Sequence, residues 1–204
     1  MEGEKLVTRS LVLVKPDGVI RGLVGEIIQR FEKVGLKIVG MKMVWSNMEH
    51  AQKHYPPART EHIQGIGQRT LDTSLQYGID PVKVFGSADP LVIGKQVQEW
   101  LREYIISGPV VAIVLQGVHA IENVRMIVGN TIPSQAAPGT IRGDYSIDSP
   151  PLANARSRPV RNLIHASGNS AEAEYETALW FKPEELHDYK RADESIMFGD
   201  ITAE

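Results

Sequence analysis

The chain has 204 residues, of which 42% are hydrophobic and 23% are charged, and its formal net charge is −3. This composition is ordinary for a globular protein, and the charge gives no electrostatic case for a nucleic-acid partner. The absence of cysteine excludes disulfides, thiolate catalysis and cysteine-based zinc sites. No apolar run approaches the roughly 20 residues that span a bilayer, and residues 1–5 do not begin a signal peptide, so we expect a cytoplasmic protein with no membrane partner.

Apolar periodicity predicts the elements of the N-terminal half. In chain order they are a strand over 6–15, a turn at 16–18, a helix over 23–34, a second strand over 36–45 and a short helix over 48–55. Residues 56–89 have weak periodicity and many glycines and prolines. We interpret them as an insertion with one short helix near 68–77.

The C-terminal half returns to clear patterns. We predict a helix over 92–106, a strand over 110–115, a helix over 121–128, an irregular segment over 129–160, a strand over 163–165 and a helix over 170–180 capped by Ser170. Residues 181–204 are interpreted as turn and tail. Two halves in which helices connect the strands favour an α+β fold with a ferredoxin-like split βαβ arrangement, a four-stranded antiparallel sheet covered by helices.

One histidine, His165, has neighbours that suit a phosphate. It lies in the segment Arg161-Asn162-Leu163-Ile164-His165-Ala166-Ser167, which follows the glycine-rich stretch Pro138-Gly139-Thr140-Ile141-Arg142-Gly143-Asp144. A neutral imidazole is a good nucleophile toward phosphorus when a carboxylate orients its other nitrogen. Any one of three acidic residues on the following helix could supply that carboxylate: Glu172, Glu174 or Glu176. The sequence therefore predicts a histidine that carries a phosphoryl group.

Charge neutralisation is the other requirement of phosphoryl transfer. Lys15 ends a predicted strand, where its side chain can enter a cleft, and Arg125 and Arg142 can fork onto phosphates. Neutral donors are also present: Thr131, Asn162 and Ser167. A P-loop kinase is excluded, because the only Gly-Lys pair, Gly94-Lys95, lacks the rest of the motif.

A second histidine pattern competes as a metal site. His50 and His54 are four residues apart on a predicted helix and could share a metal ion. No third ligand is evident near them, so an exposed histidine pair is the favoured interpretation.

The chain resembles the nucleoside diphosphate kinase family. The blocks that carry the resemblance appear in family order: 14–19 with 21–28, His54-Tyr55, 107–112, 138–144, 162–167 and 179–186. They cover nearly the whole chain apart from two insertions, at about 56–90 and 148–160. The resemblance implies a single domain over 1–204 that assembles as a hexamer or tetramer.

The resemblance also implies a ping-pong reaction. A nucleoside triphosphate would give its γ-phosphate to His165, and a nucleoside diphosphate would remove it. Glu176 would hold the ring, with Ser167, Tyr55 and Lys15 nearby. Arg125, Thr131 and Arg142 would bind the phosphates, and Asn162 would contact the sugar. Mg²⁺ would be bound through the nucleotide phosphates, so no dedicated protein metal site is expected.

Two questions stay open in the sequence. The family's base-stacking phenylalanine aligns with Val97, while Phe85 or Tyr77 of the insertion could replace it. The alternative function is a non-catalytic relative that senses nucleotides or binds a partner through the insertion.

Overall fold

The computed structural model describes residues 6–56 and 60–198. Within them the strands are β1 (Val7–Val14), β2 (Lys37–Val44), β3 (Val110–Val118) and β4 (Ile164–Ala166). The helices are α1 (Pro16–Ile20), α2 (Val24–Glu32), α3 (Met48–His54), α4 (Thr60–Gln76), α5 (Pro81–Phe85), α6 (Pro90–Ile106), α7 (Ala120–Val128), α8 (Ile141–Tyr145), α9 (Pro150–Ala155), α10 (Ser170–Trp180) and α11 (Glu194–Phe198). None of the described helices is long and apolar enough to span a bilayer.

The four strands form one antiparallel sheet in the order β2-β3-β1-β4. This confirms the predicted α+β, ferredoxin-like fold. β1 lies in the interior of the sheet and pairs with β3 along its whole length and with β4 at its C-terminal end. In that second pairing Leu13 lies opposite His165, so the interior strand fixes the position of the histidine's backbone.

The sheet is covered on both faces, which explains the continuous apolar run of β1. Val12 and Val14 pack in one layer with Phe31, whereas Leu11 and Leu13 pack in the other layer with Trp180. Alternate residues of a strand point to opposite faces, so a strand that is buried on both sides needs apolar residues at every position. Burial of each such side chain stabilises the fold by about 1.5–3 kcal/mol.

Several local predictions are wrong in detail. The predicted turn at 16–18 is the start of α1, because a proline at the first helical position suits helix entry. The segment 129–160 is not irregular throughout, since it contains α8, α9 and a 3-10 helix at Pro133–Gln135. The cap of α10 is Asn169 rather than Ser170, because the Asn169 side chain accepts from the Glu172 amide.

The insertion at about 56–90 holds more helix than predicted. α4 has 17 residues and α5 has 5, in place of one short helix near 68–77. Glycines at 65 and 67 lower the helix propensity of α4, but its packing against α6 requires one of them. A Cβ on Gly67 would overlap the Pro90 carbonyl, and a Cβ on Gly94 would overlap the Ile63 carbonyl. Tertiary packing therefore overrides local propensity here.

The second insertion, at about 148–160, packs on the first. α9 contacts α4, and the buried Asn154 side chain donates to the Ser74 hydroxyl at 3.0 Å and to the Thr70 carbonyl at 3.4 Å. Beyond α9, Arg158 pairs with Asp148, with Nη1–Oδ2 and Nη2–Oδ1 distances of 2.6 and 3.0 Å. These contacts brace the chain immediately before Asn162 and His165.

The close approach of α4 to α6 can be tested with two glycines of the same helix. We expect Gly67→Ala to lower the free energy of unfolding by about 2 kcal/mol, because the new methyl group overlaps the backbone of α6. The matched control Gly65→Ala places its methyl in ordinary contact, 3.8 Å from Arg69 Nη1, and should raise stability by about 0.5–1 kcal/mol. Urea denaturation measures both, and an equal gain from both variants would contradict the packing argument.

Candidate active site

His165 lies in the middle of β4, and a carboxylate of α10 holds its ring. Its Nε2 is 2.8 Å from Glu176 Oε1, and the Ser167 hydroxyl donates to Oε2 of the same carboxylate at 2.5 Å. Glu176 is only 6% exposed, so these bonds are made away from water. Because Nε2 faces a carboxylate, it keeps the proton of the neutral imidazole, and Nδ1 carries a lone pair.

The spacing along α10 selects this carboxylate from the three candidates. Ala173, Glu176 and Trp180 recur at helical spacing and form the buried face of the helix, which packs on β1. Glu174 is exposed, and Glu172 instead accepts from the Gly168 amide and the Asn169 side chain. Glu176 is therefore the acidic residue of this helix that reaches His165.

His54 and Tyr55, at the end of α3, form an aromatic wall beside His165. The His54 ring meets the His165 ring edge to face at 4.6 Å, and the Tyr55 ring lies 6.5 Å away. Burial, together with His165 and Lys15, lowers the pKa of His54 to about 2, so its imidazole stays neutral. Burial and the Glu176 charge raise the pKa of Tyr55, which therefore keeps its hydroxyl proton.

The predicted exposed pair of histidines on α3 is wrong, since His54 is 5% exposed and His50 packs edge-on against Trp180 at 4.4 Å. Within 6–56 and 60–198, the convergent group of metal-ligating side chains is His54, His165 and Glu176. Both Glu176 oxygens already accept hydrogen bonds, and His54 Nδ1 accepts from the Trp180 indole at 3.3 Å. The two Glu176 bonds fix the carboxylate against the His165 ring, and the Trp180 bond occupies His54 Nδ1.

Lys15 and Asn162 meet on the other side of the site. Lys15 is 4% exposed and donates to Asn162 Oδ1 at 2.8 Å, with its ammonium 5.1 Å from the Tyr104 ring centroid. Burial, with a smaller contribution from Arg142, lowers the pKa of Lys15 to about 7, although Asp17 opposes the shift. The surrounding protein therefore does not fully neutralise the positive charge of Lys15.

Arg142 is the second buried cation. Its guanidinium donates to three backbone carbonyls, those of Gly129, Asn162 and Ile164, at 2.9, 3.2 and 2.6 Å. The helix that carries it, α8, is N-capped by Thr140, whose hydroxyl accepts from the Gly143 amide. Burial, together with the charge of Arg125, lowers the pKa of Arg142 to about 10.

Arg125 and Thr131 lie at the exposed margin of this cationic region. Arg125 is in the last turn of α7, and Thr131 follows that helix. Asn162 Nδ2 donates to the Thr131 carbonyl at 3.0 Å, which ties this margin to the segment before His165. The structure thus brings together Lys15, Arg142 and Asn162 in one group and His165, Glu176, Ser167 and Tyr55 in another.

Sequence reasoning missed two residues that shape this segment. Leu163 has a φ of 67°, a left-handed conformation that is strained for a branched side chain. Its amide donates to Asp17 Oδ2 at 3.2 Å, and its carbonyl accepts from the Lys15 amide at 2.8 Å. Asp17, the acidic residue after Lys15-Pro16, was the sequence feature that could have indicated this contact. Its partner Leu163 lies 146 positions away, so the sequence did not connect the two.

Comparison with known proteins decides the family. The nucleoside diphosphate kinase family model matches residues 8–64 and 92–186. A nucleoside diphosphate kinase from Pyrobaculum aerophilum is 49% identical over 180 residues, which are 88% of this chain and 98% of the relative. One from Pyrococcus furiosus is 44% identical over 186 residues, 91% of this chain and 90% of the relative.

Solved structures agree with this result. A crystal structure of an NDP kinase from P. aerophilum has a TM-score of 0.84 at 48% identity and covers 89% of this chain and 100% of that one. A transition-state mimic of the Borrelia burgdorferi enzyme with bound vanadate and ADP has a TM-score of 0.76 at 36% identity, covering 96% and 99%. The chain belongs to the nucleoside diphosphate kinase family. It is a phosphotransferase that acts on nucleotides.

The three residues considered for base stacking in this kinase have different surroundings. Phe85 is buried and packs on Trp100, with ring centroids 5.3 Å apart, so it is not available to a ligand. Tyr77 is exposed at the C-terminal end of α4. Val97 of α6 lines a groove of about 440 Å³ between the two insertions.

The low pKa of Lys15 gives this kinase a defined pH dependence of stability. The folded protein releases the Lys15 proton near pH 7, whereas the unfolded chain keeps it until pH 10.5. Unfolding therefore takes up a proton between these values, and the free energy of unfolding should rise with pH across that window.

Lys15→Met removes this titration and tests the assignment. Near pH 7 the free energy of unfolding of the variant should exceed that of the parent, and this difference should shrink toward pH 10. Urea denaturation of the nucleotide-free protein at several pH values measures it. A difference that does not change with pH would show that Lys15 has an ordinary pKa.

Proposed function

We propose that this chain transfers the γ-phosphate of a nucleoside triphosphate to a nucleoside diphosphate by a ping-pong mechanism through a phosphohistidine on His165. The observation that carries the proposal is the bond between His165 Nε2 and the buried Glu176 carboxylate, at 2.8 Å. It directs the free lone pair of the ring to Nδ1, which becomes the nucleophile.

In the first half-reaction, the Nδ1 lone pair attacks the γ-phosphorus as the bond from phosphorus to the β–γ bridging oxygen breaks. The nucleoside diphosphate leaves with the electrons of that bond. The ring, which becomes cationic as it bonds to phosphorus, shares its Nε2 proton with Glu176. In the second half-reaction, a terminal oxygen of another diphosphate attacks the phosphorus, and the broken P–N bond returns its electrons to Nδ1.

The cationic groups suit the charge of such substrates. Arg125, Thr131 and Arg142 are proposed to bind the β- and γ-phosphates, and Asn162 the sugar, with Lys15 between sugar and phosphates. Lys15 and Arg142 are buried, and burial lowers the pKa of both. Phosphate oxygens beside Lys15 and Arg142 would stabilise the charged forms of both side chains. Neutralisation of these buried positive charges would therefore contribute to the free energy of nucleotide binding.

Mg²⁺ is proposed to enter with the nucleotide. Magnesium prefers oxygen ligands and is often bound by substrate phosphates and water. Within the described part of the chain, the group of candidate ligands contains two imidazoles and a carboxylate whose oxygens are engaged. That donor set does not suit Mg²⁺, whereas the phosphates beside Lys15 and Arg142 do. The ion would neutralise phosphate charge during transfer.

The organisation of the molecule is also a proposal. We infer one domain over 1–204 with insertions at about 56–90 and 148–160, because the family match is interrupted at 65–91 and both insertions pack on α6 or on each other. A homo-oligomer, hexamer or tetramer, is supported by exposed apolar side chains on the edge strand β2, Met41 and Met43, and by exposed Trp45 directly after it. The cytoplasmic location stays a prediction.

The phosphohistidine can be trapped. Incubation with γ-labelled ATP and Mg²⁺ should label the protein with an acid-labile, base-stable phosphate that any nucleoside diphosphate removes. His165→Ala should abolish labelling and turnover, while nucleotide binding stays measurable by calorimetry because the cationic residues remain. Turnover retained by His165→Ala would mean that another residue is the nucleophile.

The role of Glu176 can be separated from simple loss of charge on α10. Glu176→Gln should lower the rate of His165 phosphorylation about 100-fold, because an amide does not compensate the cationic ring that forms during transfer. The matched control Glu174→Gln changes an exposed carboxylate on the same helix and should leave the rate unchanged. Rapid-quench measurement with ATP compares the two, and equal rates for both variants would reject Glu176 as the orienting group.

A further inference from the structure

The groove between the two insertions lies beside the proposed sugar and phosphate contacts. It is lined by α4, α6 and the chain around α9, and its volume of about 440 Å³ is within the roughly 300–1,000 Å³ of small-molecule sites. Ile132 and Val160, which line it, are one and two positions from Thr131 and Asn162. Since the base of a nucleotide extends from the sugar, a nucleotide whose sugar contacts Asn162 can place its base here.

The walls of the groove differ in chemistry. One side is apolar and includes Val97, Trp100 and Pro159, which suit the faces of a base. The other side is the polar surface of α4, where Arg69 and Asp72 lie one helical turn apart. In such a site the apolar side chains pack on the faces of an aromatic ring, and the polar groups can form hydrogen bonds with the edge of the ring.

Three charged residues line the groove, and two of them have partners. Arg158 is paired with Asp148 through two hydrogen bonds, and Asp72 accepts from Gln68 at 2.8 Å. Arg69 makes no hydrogen bond or ion pair with any other side chain in 6–56 and 60–198. Its guanidinium is therefore the charged donor available to a ligand in the groove.

The backbone of Arg69 is held firmly. Gly67, two residues earlier, lies against the backbone of α6 without room for a methyl group, and the Thr70 carbonyl that follows accepts from Asn154 of α9. Both insertions thus fix this turn of α4 relative to α6. A side chain on a fixed turn can discriminate between ligands, because little ordering is needed when the ligand binds.

We propose that Arg69 reads the edge of the nucleobase and makes guanosine diphosphate a better phosphoryl acceptor than adenosine diphosphate. This inference rests on the proposed function. Guanine presents two adjacent acceptors, N7 and O6, to an arginine fork, whereas adenine presents an acceptor beside an amino donor. Cytosine offers a donor at the corresponding edge, and uracil offers a single acceptor.

The test separates acceptor choice from the first half-reaction. The protein is phosphorylated with ATP, freed of nucleotide, and discharged by subsaturating GDP, ADP, CDP or UDP in a rapid-quench instrument. We expect GDP to discharge the phosphoenzyme about five- to tenfold faster than ADP. Arg69→Leu should remove this advantage by slowing GDP while leaving ADP within about twofold.

Two further variants sharpen the result. Arg69→Gln should favour ADP over GDP, because a glutamine amide pairs with N6 and N7 of adenine. The control Arg156→Leu removes an exposed arginine at the end of α9 that does not line the groove, and it should keep the parental preference. A circular dichroism melt establishes that each variant is folded.

The two proposals fail in different ways. If the phosphoenzyme forms but the ratio of GDP to ADP discharge is the same in the parent and in Arg69→Leu, the assignment of Arg69 is overturned while His165 keeps its role. Equal discharge by GDP and ADP in the parent overturns it as well. Failure of the folded parent to form a phosphoenzyme overturns the proposed function itself.

Discussion

The site depends on one buried carboxylate. Glu176 is removed from water, and burial of an ionised group is costly unless its oxygens are hydrogen-bonded. His165 satisfies one oxygen and Ser167 the other. Ser167 is itself fixed to β1, since its amide donates to the Leu11 carbonyl and its hydroxyl accepts from the Leu11 amide. The interior strand, β4 and α10 are therefore joined at the ring of the proposed nucleophile.

The opposite side of the site holds an excess of positive charge. Lys15 and Arg142 are buried, yet their hydrogen bonds go to a side-chain amide and to backbone carbonyls, none of which is anionic. Burial, with a smaller contribution from a neighbouring arginine, lowers the pKa of each group. Groups perturbed in this way are typical of functional sites, because a charged ligand relieves the cost. This excess of positive charge beside His165 supports the proposal that phosphate binds here.

The two insertions add a wall to this site without altering the four-stranded frame. α4 lies against α6 through Gly67 and Gly94, and α9 joins α4 through Asn154. Because α6 leads into β3 and the segment after α9 leads into Asn162, both insertions are anchored to elements that carry the site. The insertions line a groove next to the proposed nucleotide contacts, whereas His165 and its carboxylate lie on elements of the common frame.

Local pattern in the sequence determined the strands, the helices of the frame and the group of residues around His165, because periodicity and the types of neighbouring side chains are properties of short segments. Without the family resemblance, local pattern did not determine which of Glu172, Glu174 and Glu176 reaches the ring. It also gave no sign that Asp17 accepts a hydrogen bond from the amide of the strained Leu163. It also missed the N-terminal half of α4, residues 60–67, since Gly67 disfavours a helix until α6 is packed against it. Each of these outcomes depends on contacts between segments distant in the chain, so only the tertiary structure could decide them.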